Sequence, residues 1–296
     1  MSGIVTQDGF KDRQRQSWND RGIGWDRRAE EMAEMARRLN EPLLELVGIA
    51  PGQRVLDLAS GAGEPALTIA EMVGDTGHVT ATDLAEGMLA GARRRAADRQ
   101  VGNIGFEIAD AESLPFPDAA EGEGFDRVTC RFGLMFFPDK PKALLECLRV
   151  LKPGGRAGFM VWGPLADNAV FQINMAAVLE VMGPQDETFL EMPFILGQPG
   201  ILVGLLEQAG FADIEERVIQ ARRKAPGDQP FWRTNLDMSF GTLWMNASAA
   251  ERGAVEAAIL RRLEAFREGD HYRLPVHVRY AAGTKPGAGQ ETARQP

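Results

Sequence analysis

A glycine-rich loop, GAGEPA at Gly61 to Ala66, is the segment whose residue types and spacing most directly suggest chemistry. It fits the G-x-G-x-x-G/A pattern of dinucleotide-binding folds, in which the N-terminus of the following helix holds a pyrophosphate. With Asp57 four residues before Gly61, it also fits a loop for a cationic nucleoside cofactor. The glycines do not distinguish the two, because both kinds of site need the backbone freedom that glycine gives.

The charges beside the loop favour the cationic cofactor. Asp57 ends the apolar run before the loop, and Glu64 stands at the start of the next predicted helix. Two carboxylates would repel a pyrophosphate, whereas they would attract an ammonium and a sulfonium, most strongly in a partly desolvated site. S-adenosylmethionine (SAM) carries both cationic groups. A nicotinamide dinucleotide stays open as the alternative.

Two more acids extend the pattern to the rest of a nucleoside. Asp83 follows Gly63 by 20 residues, the spacing of a ribose-binding carboxylate. Asp110 ends a third predicted strand, where it would reach an adenine amino group. Each acid alone is explained equally well as a helix cap or turn residue. Acids after three successive strands, together with the glycine loop, predict a nucleoside site.

Strands and helices that alternate along the chain must position these residues. The predicted strands are 54–58, 78–83, 104–110, 125–131, 156–163, 212–221 and 274–285. The predicted helices are 25–49 with a break at Pro42, 65–73, 85–99, 140–151 followed by a KPGG turn, 167–183, 200–211 and two within 228–270, the second opening with a Ser248-x-x-Glu251 capping box. This alternation predicts an α/β, Rossmann-like, doubly wound and mostly parallel seven-stranded sheet with a helical cap.

Four regions are expected along the chain. They are an N-terminal helical lid segment (1–48), a SAM-binding core (49–163), a helical cap with the last core elements (164–283) and a disordered tail (284–296). Trp18 and Trp25 are candidates to close over the cofactor from the lid. The cap segments are rich in Met, Phe and Trp, residues that line adaptable apolar sites, and this favours a small, lipophilic substrate.

Composition narrows the class of partner. Asp and Glu outnumber Lys and Arg by 42 to 33, for a net charge of −9, which disfavours a nucleic-acid partner. The charged N-terminus does not resemble a signal peptide, and no apolar run reaches the roughly 20 residues of a membrane span. Two cysteines and three scattered histidines predict no metal site and a reducing, cytoplasmic setting. A homodimer is compatible with the sequence.

Four successive segments resemble the motifs of class I SAM-dependent methyltransferases: VLDLASGAGEPAL, VTATDLAEGML, FEIADAESLPFPDAAEGEGFDRVTCRFGLMFFPD and LRVLKPGGRAGFMVWG. Within that class, the chain resembles the ubiquinone/menaquinone-biosynthesis C-methyltransferase type (methyltransferase type 11) and its small-molecule-methylating relatives. The resemblance covers about residues 50–163. It implies SAM as cofactor, S-adenosylhomocysteine (SAH) as product, and in-line transfer of the sulfonium methyl group to carbon, oxygen or nitrogen of a small acceptor.

The resemblance also implies a role for each site residue. The methionine end of SAM would be held by Asp57 and by the loop residues Ala59, Ser60, Gly61 and Gly63. Asp83 would bind the ribose, Leu84 and Met88 would pack around the adenosine, and Asp110 and Ala111 would contact the adenine. Arg131 and Phe132 would lie beside the reacting methyl group. The family's first loop glycine is replaced by Ala59. We expect from this that the position does not require a glycine-only conformation.

The sequence identifies no catalytic base. His271, Tyr272 and Arg131 are candidates for moving a proton or orienting the acceptor, while His277, inside a predicted strand, is expected to be structural. Besides methyl transfer, two functions stay open. The chain is alternatively a SAM-binding protein of the same fold with different chemistry or a sensing role, or a nicotinamide-dependent oxidoreductase.

Overall fold

The computed structural model describes residues 7–119, 123–184 and 190–287, except for the side chains of residues 7, 8, 21–36, 238 and 242. Its main helices are α1 (Gln7–Val47), α2 (Ala66–Val73), α3 (Glu86–Asp98), α4 (Lys140–Val150), α5 (Ala169–Met182), α6 (Ile201–Ala209), α7 (Arg233–Asn246) and α8 (Ala249–Leu263). Its strands are β1 (Arg54–Leu58), β2 (His78–Asp83), β3 (Ile104–Ile108), β4 (Phe125–Arg131), β5 (Leu151–Trp162), β6 (Ala212–Pro226), β7 (Arg267–Glu268) and β8 (His271–Thr284).

The strands form one sheet in the order β3-β2-β1-β4-β5-β8-β6, with the two-residue β7 paired to β8. Strands β1 to β5 pair in parallel. Four of the five residues of β1 are buried, as expected for a parallel strand covered on both faces. The predicted Rossmann-like fold is therefore confirmed, with seven strands along the main path and β7 as an addition.

The chain divides into two compact units. Unit 1 comprises Met1–Met160, Gly200–Arg217 and Tyr280–Pro296, and unit 2 comprises Val161–Pro199 and Val218–Arg279. In unit 1, residues of α2 such as Ile69 and Val73 pack on β1 and β2. In unit 2, a separate apolar core joins α5, α7 and α8 and contains Trp232 and Tyr272.

Several predicted boundaries are confirmed. Strands β1, β2 and β4 have the predicted residues, and α2 lies between Pro65 and Gly74, as the helix-start and helix-stop residues indicate. Helix α8 begins with the predicted capping box, in which Ser248 and Glu251 bond each other's backbone. Residues 288–296 of the predicted tail lie outside the described residues.

The predicted helix break at Pro42 is wrong, because α1 continues through it to Val47. Proline removes one backbone donor and crowds the preceding turn. The residues that follow, including Leu43 and Leu44, are at most 4% exposed. Their burial offsets the cost of the proline and keeps the last turns helical.

The predicted KPGG turn is also wrong, since these residues lie within β5. Gly154 N–H donates to the carbonyl of Lys285 at 2.9 Å, and Lys285 N–H donates to the carbonyl of Gly155 at 2.8 Å. This pairing joins segments that are far apart in sequence. The long-range strand pairing therefore outweighs the local preference for a turn, and composition does not reveal that pairing.

Candidate functional site

The sequence-predicted acids lie at one edge of the sheet in unit 1. Asp83 and Arg131 are the last residues of β2 and β4, Asp57 precedes the last residue of β1, and Asp110 follows β3 by two residues. Because β3, β2, β1 and β4 are parallel neighbours, their carboxyl ends meet at this edge. Nucleotides bind there in open α/β sheets.

The loop after β1 depends on its glycines at two positions. Gly61 has a φ of +55° and Gly63 a φ of +104°, values that favour glycine. A Cβ at Gly63 would stand 3.1 Å from the Ala92 Cβ, so the missing side chain lets the loop approach α3. Ser60 ties the loop down, because its N–H donates to the carbonyl of Thr82 at 2.9 Å.

Ala59 contradicts an expectation drawn from the sequence. Its φ is +51°, in the left-handed region that favours glycine. The inference that this position does not need such a conformation is therefore wrong. A non-glycine residue here is strained, at a cost of roughly 1–2 kcal/mol.

Replacing Ala59 by Gly should raise the free energy of unfolding by about 1 kcal/mol, because it removes the left-handed strain and Ala59 is only half-buried. Urea unfolding of the variant measures this. Ala257→Gly is the control, since Ala257 lies in the interior of α8, where glycine should destabilise. Equal destabilisation by both substitutions would show that Ala59 is not strained.

Asp57 is fully buried beneath the loop. Its Oδ1 accepts a hydrogen bond from Thr129 Oγ1 at 2.5 Å, while Oδ2 has no hydrogen-bond partner among the described residues. Burial raises the pKa of Asp57 to about 7, against the opposing effect of the Thr129 hydrogen bond. A cation bound at Oδ2 would supply the missing partner and favour the ionised form.

Asp83 is held by backbone donors. Gly61 N–H donates to its Oδ2 and Ala85 N–H to its Oδ1, both at 3.0 Å. Burial nevertheless raises the pKa of Asp83 to about 6. Half-buried Leu84 follows it, and Met88 lies against Gly61, where an added Cβ would stand 3.2 Å from the Met88 Cε. The carboxylate therefore joins the loop to the start of α3.

Asp110 contacts the N-terminal helix. Lys11 Nζ lies 2.6 Å from Asp110 Oδ2 and 2.5 Å from Glu112 Oε2, and Asp110 Oδ1 accepts from Glu112 N–H, with half-buried Ala111 between them. Burial lowers the pKa of Lys11, but the hydrogen bonds that its ammonium donates to both carboxylates, and their negative charges, outweigh it and the net direction is upward. Asp110 thus already has a cationic partner.

Arg131 and Glu64 complete the edge. Burial lowers the pKa of Arg131, opposed by the negative charges of Glu64 and Asp57, and Arg131 Nε is buried without a hydrogen-bond partner among the described residues. Its guanidinium lies 5.0 Å from the ring centre of Phe132, a residue with a φ of +54°. Glu64 pairs with Arg99 at 3.4 Å and accepts a hydrogen bond from Thr68 Oγ1 at 2.7 Å.

The remaining predicted candidates lie in unit 2. His271 Nδ1 is 2.9 Å from Asp270 Oδ1. Tyr272 is 2% exposed, and its hydroxyl accepts from Arg267 Nη2 at 2.5 Å. His277 is buried and lies 2.9 Å from Asp167. Within the part of the chain that the structure describes, no group of three or more His, Cys, Asp or Glu side chains is placed to hold a metal ion.

None of the described helices is both long enough and apolar enough to cross a membrane.

Sequence reasoning missed residues that act through long-range contacts. Thr129 pairs with Asp57 in the β1–β4 register, and the side chains of Lys11 and Glu112 meet beside Asp110. A threonine in an apolar strand and a lysine on a helix carry no local signal of these contacts. Only the strand register and the path of α1 bring them to the site.

The unpartnered groups at the glycine loop fit an amino-acid-bearing nucleoside. A buried carboxylate oxygen at Asp57 and a buried guanidinium nitrogen at Arg131 are complementary to an α-ammonium and an α-carboxylate. Asp83 and Asp110 lie along the same edge of the sheet. This combination of fold and charges suits S-adenosylmethionine as a ligand.

Comparison with known sequences finds similarity to methyltransferases over the first half of the chain. Residues 35–174 match the model of the ubiE/COQ5 methyltransferase family. It is similar to the ubiquinone/menaquinone biosynthesis C-methyltransferase UbiE of Ectopseudomonas oleovorans, with 50% identity over 114 residues, which are 38% of this chain and 65% of that protein. The matched part thus spans less than two thirds of these curated relatives, and 43% of the one from Pseudomonas entomophila.

Solved structures share the fold at low identity. Phosphoethanolamine N-methyltransferase 2 of Haemonchus contortus, in complex with S-adenosyl-L-methionine, has a TM-score of 0.53 and 20% identity, covering 84% of this chain and 52% of that one. The [4+2]-cyclase SpnF has a TM-score of 0.52 and 21% identity, covering 84% and 81%. At these identities the likeness concerns the fold and not the reaction.

Proposed function

We propose that the protein is a SAM-dependent methyltransferase that acts on a small, lipophilic acceptor. When bound, SAM supplies an electrophilic methyl group on a sulfonium. Asp57 would bind its α-ammonium and Arg131 its α-carboxylate, while Asp83 and Asp110 would bind the ribose hydroxyls and the adenine amino group. The observation that carries the proposal is the buried, unpartnered Oδ2 of Asp57 beside the glycine loop.

The class of acceptor is supported by partly buried aromatic rings in unit 2 and by the charge of the chain. Trp162, Phe171 and Phe194 are only partly buried, and apolar, aromatic surfaces suit a lipophilic molecule. A net charge of −9 disfavours a nucleic acid as substrate. Cys130 and Cys147 are free and buried, which agrees with the predicted reducing, cytoplasmic setting. A homodimer stays a prediction.

Label transfer tests the proposal directly. The full chain is incubated with methyl-labelled SAM and with 1,4-naphthoquinol, catechol or aniline, which offer carbon, oxygen and nitrogen nucleophiles. We expect label in an extractable product with at least one of them, and none with the Asp57→Asn variant. Binding of SAH without transfer to any acceptor would instead support a SAM-binding protein with other chemistry, a use of this fold that the cyclase neighbour illustrates.

We further infer that the start of α1 is a lid on the adenosine end of the site. Lys11 reaches Asp110 after β3, Asn19 Oδ1 accepts from the Gly87 N–H at 2.8 Å, and Trp18 packs edge-on against Phe136, with ring centres 5.2 Å apart. These contacts involve residues that follow β3, β2 and β4, respectively. The side chain of Trp25, the other predicted lid residue, lies outside the described side chains.

Substituting Lys11 by Met should speed dissociation of SAH about tenfold and lower the free energy of unfolding by about 2 kcal/mol. It leaves the carboxylates of Asp110 and Glu112, the latter only 2% exposed, without their cation. Stopped-flow release and urea unfolding measure the two effects. Arg13→Met, at an exposed position of the same helix, is the control and should change neither. Unchanged release in the Lys11 variant would contradict the lid.

A further inference from the structure

Unit 2 holds a histidine–carboxylate pair with the arrangement of a general base. Asp167 Oδ2 lies 2.9 Å from His277 Nδ1, and the histidine side chain is 5% exposed against 48% for the aspartate. Gln220 Nε2 lies 3.2 Å from the same ring nitrogen. An ionised carboxylate only accepts hydrogen bonds, so its pairing with Nδ1 requires the Nδ1–H tautomer, in which Nε2 of the neutral ring is left as the acceptor. In that tautomer the Gln220 amide turns its oxygen, not its nitrogen, toward the ring.

The surroundings fix the orientation of this ring. Asn168 accepts from the His277 N–H at 3.0 Å, and its Nδ2 donates to the His277 carbonyl at 3.2 Å. The backbone of Gly163 packs closely against the imidazole, since a Cβ there would stand 2.3 Å from the His277 Cγ. The sequence led us to expect a structural role for His277, but backbone anchoring, a glycine platform and a carboxylate partner together position the ring as they would a catalytic one.

The other ring nitrogen is unused. His277 Nε2 is buried and has no hydrogen-bond partner among the described residues. Buried polar atoms are nearly always paired, so an unpaired one calls for an explanation. A hydrogen donor on a bound molecule would supply the missing partner.

Aromatic side chains flank the pair along the chain. Trp162, next to Gly163, packs edge-on against Phe171, with ring centres 4.9 Å apart, and Phe171 packs against Phe194 at 5.3 Å. All three rings are only partly buried. Partly buried aromatic faces suit a flat, apolar ring, and a hydroxyl group on that ring would supply the donor that Nε2 lacks.

We propose that His277, oriented by Asp167, accepts the proton of an aromatic hydroxyl group whose ring binds against Trp162, Phe171 and Phe194. The O–H bond breaks and an Nε2–H bond forms, which leaves an oxyanion on the ligand and an imidazolium stabilised by the carboxylate. The imidazolium later returns the proton to water. The role of this oxyanion as a methyl acceptor rests on the proposed methyltransferase function, whereas the proton transfer itself does not.

Titration with 4-nitrophenol, whose ionised form absorbs visible light, tests the pair in the full chain. We expect saturable binding with an increased phenolate fraction. His277→Gln should weaken binding at least about tenfold, and Asp167→Asn should lower the bound phenolate fraction by a similar factor. His78→Gln is the control, because His78 is an exposed residue at the start of β2 in unit 1, and it should bind as the wild type does.

A second readout keeps the test decisive if His277→Gln does not fold. In ¹⁵N-labelled protein, the His277 ring should carry its hydrogen on Nδ1, and Asp167→Asn should shift that tautomer toward Nε2. Absence of saturable nitrophenol binding by the wild type, equal binding by His277→Gln, or a wild-type Nε2–H tautomer would each overturn the proposal. A parallel SAH titration separates the two claims, because failure of SAH to bind would contradict the methyltransferase function alone.

Discussion

Replacing Asp57 by Asn is expected to lower the affinity for SAH about 100-fold and, in the ligand-free chain, to raise the free energy of unfolding by about 2–4 kcal/mol near pH 8. The loss of affinity follows from the buried Oδ2, which has no partner among the described residues and is the group placed to bind an ammonium. The gain in stability follows from removing a buried carboxylate that ionises against its surroundings.

The pH dependence has a definite sign. Asp57 has a pKa of about 7 in the folded chain against an ordinary value of 3.8, so unfolding releases its proton between these values. The wild type therefore loses stability as pH rises from about 4 to about 7 and loses no more from this group above that range. The asparagine of the variant cannot ionise. The difference in the free energy of unfolding between the variant and the wild type should therefore be, near pH 5, less than half of its value near pH 8.

Urea unfolding and SAH calorimetry across this range measure both effects. Asp126→Asn is a control of opposite sign, because hydrogen bonds from Lys152 and the Arg54 N–H outweigh burial and lower the pKa of Asp126. That variant should lose stability at neutral pH, where the ionised carboxylate is favoured, and should keep its affinity for SAH. Destabilisation of Asp57→Asn near pH 8, with SAH affinity intact, would contradict the role assigned to Asp57.

Replacing Asp83 by Asn should lower the affinity for SAH about 30-fold, because the charged hydrogen bonds to the ribose hydroxyls are lost. The Asp83 carboxylate now accepts hydrogen bonds from the N–H groups of Gly61 and Ala85. The amide NH₂ group of asparagine would face one of these two N–H groups, and two donors cannot bond each other. In the wild type, protonation of Asp83, with its pKa of about 6, should lower SAH affinity as pH falls through that value.

Ligand truncation isolates the ribose contribution. Calorimetry with 2′,3′-dideoxyadenosine should give the wild type and the Asp83→Asn variant similar, weak affinities, because the ligand lacks the hydroxyls that the carboxylate would bind. Glu86→Gln, an exposed position three residues further on, should leave SAH binding unchanged. If the variant loses the same factor for the truncated ligand as for SAH, Asp83 acts on the loop and not on the ribose.

Much of unit 1 could be predicted from local sequence. The boundaries of β1, β2 and β4, the place of α2 between Pro65 and Gly74, and the acids at the sheet edge follow from short apolar runs and turn residues. The expectation for Ala59 was wrong because the presence of a side chain does not show that the backbone lies outside the left-handed region. Strain of about 1–2 kcal/mol is tolerated where neighbouring structure holds the backbone.

Other features depend on contacts between distant segments. Nothing local to Thr129 reveals that it donates to Asp57, and nothing near Lys11 reveals that its ammonium meets Asp110. The pairing of His277 with Asp167, 110 residues earlier, is equally invisible in composition or spacing. Such partners are set by strand register and chain path, which one sequence specifies only through the whole fold.

Competitive calorimetry of the unmodified chain with SAH and with NAD tests the central claim, that the loop after β1 holds a cationic nucleoside. Asp57 with its unpartnered oxygen and Asp83 at the same edge should bind SAH at micromolar or lower concentration, about −8 kcal/mol or better. NAD should show no saturable binding, because its pyrophosphate meets these carboxylates. Tight binding of NAD without binding of SAH would contradict the account.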